Sequence, residues 1–158
     1  MDGSEPAARV VNVAVVDDDA SLCRSFARLL RAAGLQPVTY ASAEAFLDDV
    51  RHPRFDCLLL DVQLGGMSGL ELRRRLAAGR DPTPVIFITA QDDPELKRQA
   101  LADGCAGFFR KTDSGRLVVD AIQRTAALAA SSTRGRTPAD VSETPDAAGT
   151  LRRDSRPL

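Results

Sequence analysis

Carboxylates stand at two places where an apolar run ends. Asp17 and Asp18 follow the run 10–16, and Asp61 follows the run 57–60. Carboxylates that share one crevice raise each other's pKa unless a cation lies between them. Since no histidine or cysteine accompanies them, these hard oxygen ligands favour Mg²⁺ or Mn²⁺ over a softer metal.

Two further polar residues end apolar runs later in the chain. Thr89 follows the run 85–88, and Lys111 comes shortly after the run 107–109. Only two of the 21 basic residues are lysine, so Lys111 is not part of a lysine-rich background. A carboxylate beside a divalent cation, an ammonium and a hydroxyl can attack a phosphorus centre. The product of this chemistry is an aspartyl phosphate.

The elements that position these residues alternate along the chain. Strand-type runs are predicted at 10–16, 38–40, 57–60, 85–88 and 107–109, with helical apolar spacing between them. This order predicts an α/β fold with a five-stranded parallel sheet, doubly wound as (βα)5. In such sheets the functional crevice lies beyond the carboxyl ends of the strands, where the polar residues above would meet.

Polar residues mark where the predicted helices begin. Gly34 is predicted to end the first helix, and the fourth is predicted to end near Gly104. The predicted N-caps are Asp19, Ser42, Ser68, Asp93 and either Asp113 or Ser114.

Length and composition indicate one globular domain. The chain has 158 residues, of which 44% are apolar and 27% charged, and its formal net charge is -1. No apolar run approaches the roughly 20 residues of a membrane helix, and the charge favours neither nucleic acid nor an anionic membrane. We expect a disordered N-terminus over 1–8, a folded domain over 9–130 and a disordered polar tail over 131–158.

The cysteine and histidine content narrows the chemistry. Three cysteines, Cys23, Cys57 and Cys105, are odd in number and set in apolar segments. They are predicted to be buried free thiols, which indicates a reducing, cytoplasmic location. The single histidine, His52, is interpreted as structural, which leaves no Ser-His or Cys-His catalytic arrangement.

Five motifs occur in a characteristic order: VVDDD, LLLDV, GGMSG, ITA and FFRK. With these motifs the chain resembles a receiver domain of bacterial two-component response regulators over about residues 9–130. The resemblance implies the flavodoxin-like receiver fold. The segment SAEAFL further resembles receivers that often carry a C-terminal helix-turn-helix, and stand-alone receivers are similar as well.

The resemblance implies a role for each motif residue. Asp61 would accept a phosphoryl group from a phosphohistidine. The residues implied at Mg²⁺ or Mn²⁺ are Asp17 through water, Asp18, Asp61 and the backbone carbonyl of Gln63. The residues implied at the phosphate and in the switch are Thr89, Ala90, Lys111 and Phe108. Gln63 and Gln91, which flank the site, would tune the lifetime of the phosphate.

Two residues depart from the family pattern. Thr112 follows Lys111 where the family usually has a proline joined through a cis peptide. A cis bond before threonine costs about 3 kcal/mol, so the resemblance does not define the conformation of this loop or the reach of Lys111. Gly65 stands where proline is frequent, which gives a looser loop after Asp61.

The partners that the resemblance implies are proteins. A sensor histidine kinase or phosphotransfer protein would donate the phosphoryl group, a separate effector would receive the signal, and phosphorylation could form a homodimer. The tail is shorter than the roughly 60 residues that a helix-turn-helix output module needs, so we expect a single-domain regulator without direct contact to nucleic acid.

Three alternatives differ in the use of the acidic residues. A receiver-like binding module would keep the fold without phosphorylation, as Thr112 suggests. A phosphatase resembling the haloacid dehalogenase superfamily would use Asp17 as nucleophile, but it leaves Asp61 unexplained. A flavin carrier would need a phosphate-binding first loop, and three carboxylates there would repel the phosphate.

Overall fold

The computed structural model describes residues 10–134, in which five strands alternate with five helices. The strands are β1 (Asn12–Val16), β2 (Gln36–Tyr40), β3 (Cys57–Asp61), β4 (Val85–Thr89) and β5 (Gly107–Arg110). The helices are α1 (Ala20–Ala32), α2 (Ala43–Asp48), α3 (Gly69–Ala78), α4 (Pro94–Ala102) and α5 (Gly115–Arg134). None of the helices in this part of the chain has the length and apolar character needed to cross a membrane.

The five strands form one sheet in which every neighbouring pair is parallel, in the order β2-β1-β3-β4-β5. This confirms the predicted doubly wound fold. The connections run outward in opposite directions from β1 and β3, so a crevice opens beyond the carboxyl ends of these two strands. Val16 pairs with Leu60 in the register, which brings Asp17 level with Asp61.

Helices cover both faces of the sheet because the strand side chains alternate between two apolar layers. On one face, Val13 and Leu59 pack with α1 and with the part of α5 up to Ala126. On the other face, Leu58 and Phe87 pack with α2, α3 and α4. All residues of β3 and β4 are buried, which accounts for their almost unbroken apolar sequence.

Four predicted N-caps are confirmed. Asp19, Ser42, Ser68 and Asp93 each accept hydrogen bonds from backbone amides of the first turn of their helix. Ser68 forms a complete capping box with Glu71, so the start of α3 is fixed just after the loop that follows Asp61. The helices that frame the crevice thus begin at defined points.

The first two strands begin at residues other than those predicted, and each of the other three ends one residue later than predicted. β1 begins at Asn12, because Val10 is exposed and lies outside the ladder. β2 begins at Gln36 and includes Pro37, which the sequence pattern disfavours in a strand. Proline is tolerated there because β2 is an edge strand with only one neighbour.

Other differences concern one cysteine and the predicted tail. Cys23 and Cys57 are buried as predicted, but Cys105 is only half-buried, because it lies in the turn before the edge strand β5. Residues 131–134, which we assigned to the tail, form the end of α5. The predicted N-terminal segment 1–8 and the remainder of the tail lie outside the described residues.

Candidate functional site

Three carboxylates meet at the carboxyl edge of the sheet. Asp17 directly follows β1, Asp61 is the last residue of β3, and each offers an oxygen within 4.8 Å of the other and of Asp18. Asp17 is 2% exposed and Asp61 3% exposed, whereas Asp18 faces solvent. The site therefore combines two buried acids with one accessible acid.

Lys111 brings a positive charge to this cluster from the end of β5. Its Nζ donates a hydrogen bond of 2.9 Å to Oδ2 of Asp61 and lies 3.0 Å from Oδ2 of Asp17. No peptide bond among residues 10–134 is cis, so the Lys111–Thr112 bond is trans. The lysine reaches the acids without the proline that the resemblance led us to expect.

Backbone amides hold the other carboxylate oxygens. The amide of Gln63 donates to Oδ1 of Asp61 at 3.0 Å, and the amide of Asp19 donates to Oδ1 of Asp17 at 2.8 Å. Both donors lie two residues after the acid that they contact. The loops after β1 and β3 thus orient the two carboxylates while leaving Oδ2 of each beside Lys111.

Burial and charge raise the pKa of two groups at the site, the carboxyl of Asp17 and the ammonium of Lys111. Burial raises the pKa of Asp17 above its ordinary value, although the Asp19 amide and Lys111 partly offset the effect. Burial lowers the pKa of Lys111, but the hydrogen bonds and charges of Asp61 and Asp17 outweigh it, and the net pKa is raised. Lys111 therefore remains an ammonium at neutral pH.

The donor set fits a hard divalent cation. The cluster of Asp17, Asp18 and Asp61 consists of oxygen ligands alone, which suits Mg²⁺ or Mn²⁺. With Lys111 included, three negative charges face one positive charge, which leaves an excess of two negative charges. The buried Oδ2 of Asp17 has the Lys111 ammonium 3.0 Å away, and its second lone pair can face a cation or its water shell.

Thr89 and Ala90 lie beside the acids at the end of β4. Thr89 is the last residue of the strand and is 1% exposed, and its hydroxyl accepts a hydrogen bond of 3.2 Å from the Gln91 amide. Ala90 is exposed and begins the loop to α4. The side chains of Gln63 and Gln91 hydrogen-bond at 3.3 Å and join the loops on either side of the site.

Phe108 lies on β5 and is half-buried. Its ring packs against Phe87 with the centroids 6.4 Å apart. It also lines a surface pocket of about 330 Å³ together with Gln91, Asp92, Asp93, Lys97, Arg110 and Asp113. The aromatic ring thus connects the buried face of the sheet to the surface formed by α4 and β5.

Two residues that frame the site had no individual role predicted for them, although they lie in the motifs GGMSG and SAEAFL. Gly69 begins α3 so close to β3 that a Cβ there would overlap the carbonyl oxygen of Asp61. The sequence feature that could have identified Gly69 is a glycine at the first position of a helix. Glu44 of α2 accepts a hydrogen bond of 2.9 Å from the Met67 amide in the loop after β3. No local pattern marks that contact, because the two residues are joined only by tertiary packing.

Comparison with known proteins identifies a family whose motifs the chain carries. The family model described as the response regulator receiver domain matches residues 13–123. The response regulator protein TodT of Pseudomonas putida is 33% identical over 73% of this chain and 51% of its own length. The transcriptional regulatory protein FixJ of Azorhizobium caulinodans is 36% identical over 78% of this chain and 58% of its own. The chain spans about half the length of these curated relatives.

A solved structure covers the same region. A response regulator receiver protein from Burkholderia phymatum is 42% identical and superposes with a TM-score of 0.66, covering 74% of this chain and 95% of the other. The family match, these relatives and the acidic site agree. The chain belongs to the family of response regulator receiver domains, the signalling modules of two-component systems.

Proposed function

We propose that Asp61 accepts a phosphoryl group from a phosphohistidine, in a reaction that depends on Mg²⁺ or Mn²⁺. The single observation that carries this proposal is the position of Lys111, whose ammonium lies 2.9 Å from Asp61 and 3.0 Å from Asp17. A lysine held there by two buried acids has few roles in packing, but it is placed to neutralise charge on a phosphoryl group.

The residues that would hold the cation are Asp18, Asp61 and the backbone carbonyl of Gln63, with Asp17 acting through water. When bound, the cation supplies positive charge that draws the phosphoryl oxygens toward the acidic pocket and offsets their repulsion. The exposure of Asp18 gives a route for the ion from solvent.

The chain's own residues would carry out the transfer. An oxygen of Asp61 forms a bond to phosphorus while the bond from phosphorus to the imidazole nitrogen of the donor breaks, and the nitrogen keeps the electron pair. The Gln63 amide orients the carboxylate for this approach. Lys111, already paired with Asp61, then pairs with the phosphoryl oxygens. The donor is a sensor histidine kinase or a phosphotransfer protein.

Thr89 and the backbone of Ala90 would respond to the new negative charge on Asp61. The Thr89 hydroxyl turns from the Gln91 amide to the phosphate, and Phe108 moves into the space that this rotation opens. Both changes alter the surface of α4 and β5, which binds an effector or a second receiver. A local change in charge is thereby converted into a choice between two packings.

The alternatives have less support. Thr112 was the one feature that favoured a binding module without phosphorylation, yet the trans bond at this residue leaves Lys111 in contact with Asp61. A phosphatase that uses Asp17 as nucleophile would leave Asp61, and the hydrogen bond that Lys111 donates to it, without a role.

The test is phosphorylation by a small donor such as acetyl phosphate with Mg²⁺, followed by mass analysis of the intact protein. We expect the mass of one phosphoryl group to be added to the wild type, and to be lost on treatment with hydroxylamine. Omission of Mg²⁺ with a chelator present should prevent the reaction.

Two variants locate the modified residue. Asp61→Asn should remain unmodified, whereas Asp56→Asn, which changes an acid at the other end of β3, should react like the wild type. An unmodified wild type, under conditions that label another receiver, contradicts the proposed function. Equal labelling of Asp61→Asn contradicts the choice of residue.

A further inference from the structure

The loop 62–68 joins β3 to α3 and passes beside the acidic site. It carries Gln63 near its start and contains the consecutive glycines Gly65 and Gly66. Adjacent glycines leave a backbone with many accessible conformations. A loop that must present a carbonyl oxygen to a cation therefore needs an additional restraint.

Glu44 supplies a contact to this loop from a different element. Its Oε2 accepts a hydrogen bond of 2.9 Å from the amide of Met67, across a separation of 23 residues. Glu44 lies in the first turn of α2, which is held in place by the Ser42 cap and by the buried side chains of Ala43 and Phe46. The carboxylate thus extends from a fixed support.

Gly66 leaves the space that this carboxylate occupies. A Cβ at residue 66 would lie 2.8 Å from Oε2 and 3.2 Å from Oε1 of Glu44. Any larger residue there would push the Glu44 side chain away. By contrast, a Cβ at Gly65 would make only an ordinary contact of 3.8 Å with Asp18. The fit between Gly66 and Glu44 is therefore specific to one of the two glycines.

The charge of Glu44 strengthens the contact. The Met67 amide, with the amide of Glu44 itself, holds the pKa of the Glu44 carboxyl below its ordinary value. The group is ionised at neutral pH, and hydrogen bonds to an ionised acceptor are stronger than neutral ones. The other hydrogen bonds described on the loop lie toward its two ends. The Val62 amide donates to the Ile88 carbonyl, the Gln63 side chain bonds that of Gln91, and the Ser68 amide donates to Glu71.

We propose that Glu44 is a positioning residue, which fixes the loop 62–68 so that the Gln63 carbonyl faces the cation site beside Asp61. This inference rests on the proposed function for its consequence in phosphorylation. The contact itself belongs to the unphosphorylated protein, so it can be tested separately.

The test compares Glu44→Ala and Glu44→Gln with Asp48→Ala, a matched control that removes an exposed acid from the same helix. Glutamine keeps an oxygen that can accept the Met67 hydrogen bond. The measurements are hydrogen exchange at residues 65–67 without metal, Mn²⁺ affinity by electron paramagnetic resonance, and thermal stability.

We expect Glu44→Ala to speed exchange at residues 65–67 and to weaken Mn²⁺ binding about fivefold, below the effect typical of a direct partner of a metal ligand. Glu44→Gln should stay within about twofold of the wild type, since it restores the acceptor. Asp48→Ala should match the wild type in both measurements. Gly66→Ala, which displaces the carboxylate without removing it, should resemble Glu44→Ala.

Two results overturn the inference. The first is that Glu44→Ala has the same hydrogen exchange and Mn²⁺ affinity as the wild type. The second is that Glu44→Ala and Glu44→Gln lose Mn²⁺ affinity equally, because the charge of Glu44 and not its hydrogen bond would then be responsible for the effect. Acetyl phosphate labelling separates the two proposals. Wild type that is not labelled, with Glu44→Ala still loosening the loop, contradicts the proposed function alone.

Discussion

The two walls of the site are held in different ways. The acidic wall comprises Asp17 and Asp61, which are buried and receive backbone hydrogen bonds of 3.0 Å or less. The switch wall comprises Thr89, Phe108 and Arg110. Thr89 is buried, but Phe108 is half-buried, and Arg110 is 51% exposed and contacts Asp92 only at 3.5 Å.

This difference separates chemistry from signalling. Phosphoryl transfer needs a nucleophile that is already oriented, because misplacement of reacting groups is costly. A switch instead needs elements that can adopt a second packing at small cost in free energy. Changes in the acidic wall should therefore alter the reaction strongly, whereas changes in the switch wall should alter its consequences.

Lys111→Met should have the largest effect. It removes the ammonium that pairs with Asp61, and phosphoryl uptake from acetyl phosphate should fall about 100-fold, as when an enzyme loses one stabilising donor. The initial rate of mass gain measures this. Lys97→Met changes the only other lysine of the chain, which is exposed, and should leave the rate within about twofold. Equal rates for the two variants would show that phosphoryl uptake does not depend on the Lys111 ammonium.

Asp17→Asn should stabilise the protein without divalent ions. Since burial raises the pKa of Asp17, folding favours its protonated form. Its contribution to stability falls as the pH rises from 3.8 through the raised pKa, and the full cost is present at neutral pH. Asparagine removes that cost, and the Tm at pH 7 in a chelator should rise by about 4 °C, which corresponds to about 1 kcal/mol.

The matched change is Asp18→Asn, at the exposed member of the cluster. Its Tm in a chelator should stay within about 1 °C of the wild type, as for most surface changes. Both variants should lose the increase in Tm that Mg²⁺ gives the wild type. A lower Tm for Asp17→Asn than for the wild type in a chelator would contradict the cost assigned to this buried acid.

Thr89→Val should have a smaller effect on the reaction. It keeps the shape of the side chain but removes the hydroxyl that would contact the phosphate, and uptake should slow by only about threefold. The changes in hydrogen exchange that phosphorylation causes in the loop 90–93 and in α4 should largely disappear. Thr89→Ser should retain them. If Thr89→Val transmits the change as well as the wild type, the switch wall works without this residue.

Arg110→Gln should have the smallest effect. Its ion pairs with Asp92 and Asp113 are exposed and long, at 3.5 and 3.9 Å. Because such pairs contribute little, the free energy of unfolding in urea should change by less than about 0.5 kcal/mol. A loss several times larger would show that the switch wall is as firmly held as the acidic wall.

More of the acidic wall than of the switch wall could be predicted from the sequence. Asp17 and Asp61 end strongly apolar strands, and the edge of a parallel sheet must bring such ends together. The N-caps Asp19 and Ser68 could also be predicted, since capping depends on residues within one turn. These features are local or follow from the topology.

Features that depend on side-chain packing could not be predicted. The reach of Lys111 was in question because of Thr112, and only the path of the loop after β5 resolves it. The contact between Glu44 and Met67 depends on how α2 sits against the loop after β3. No spacing within the chain encodes such distances.

Pro37 has a consequence for how copies of this chain can meet. In β2 the residues that face β1 alternate with residues that face the open edge, and Gln36 donates its amide to Val11. Pro37 therefore faces outward and offers no N–H. The open edge of β2 is thus a poor template for another strand, which disfavours growth of the sheet at this edge. Copies of this chain that meet at β2 are thereby directed toward contacts between side chains and away from shared backbone.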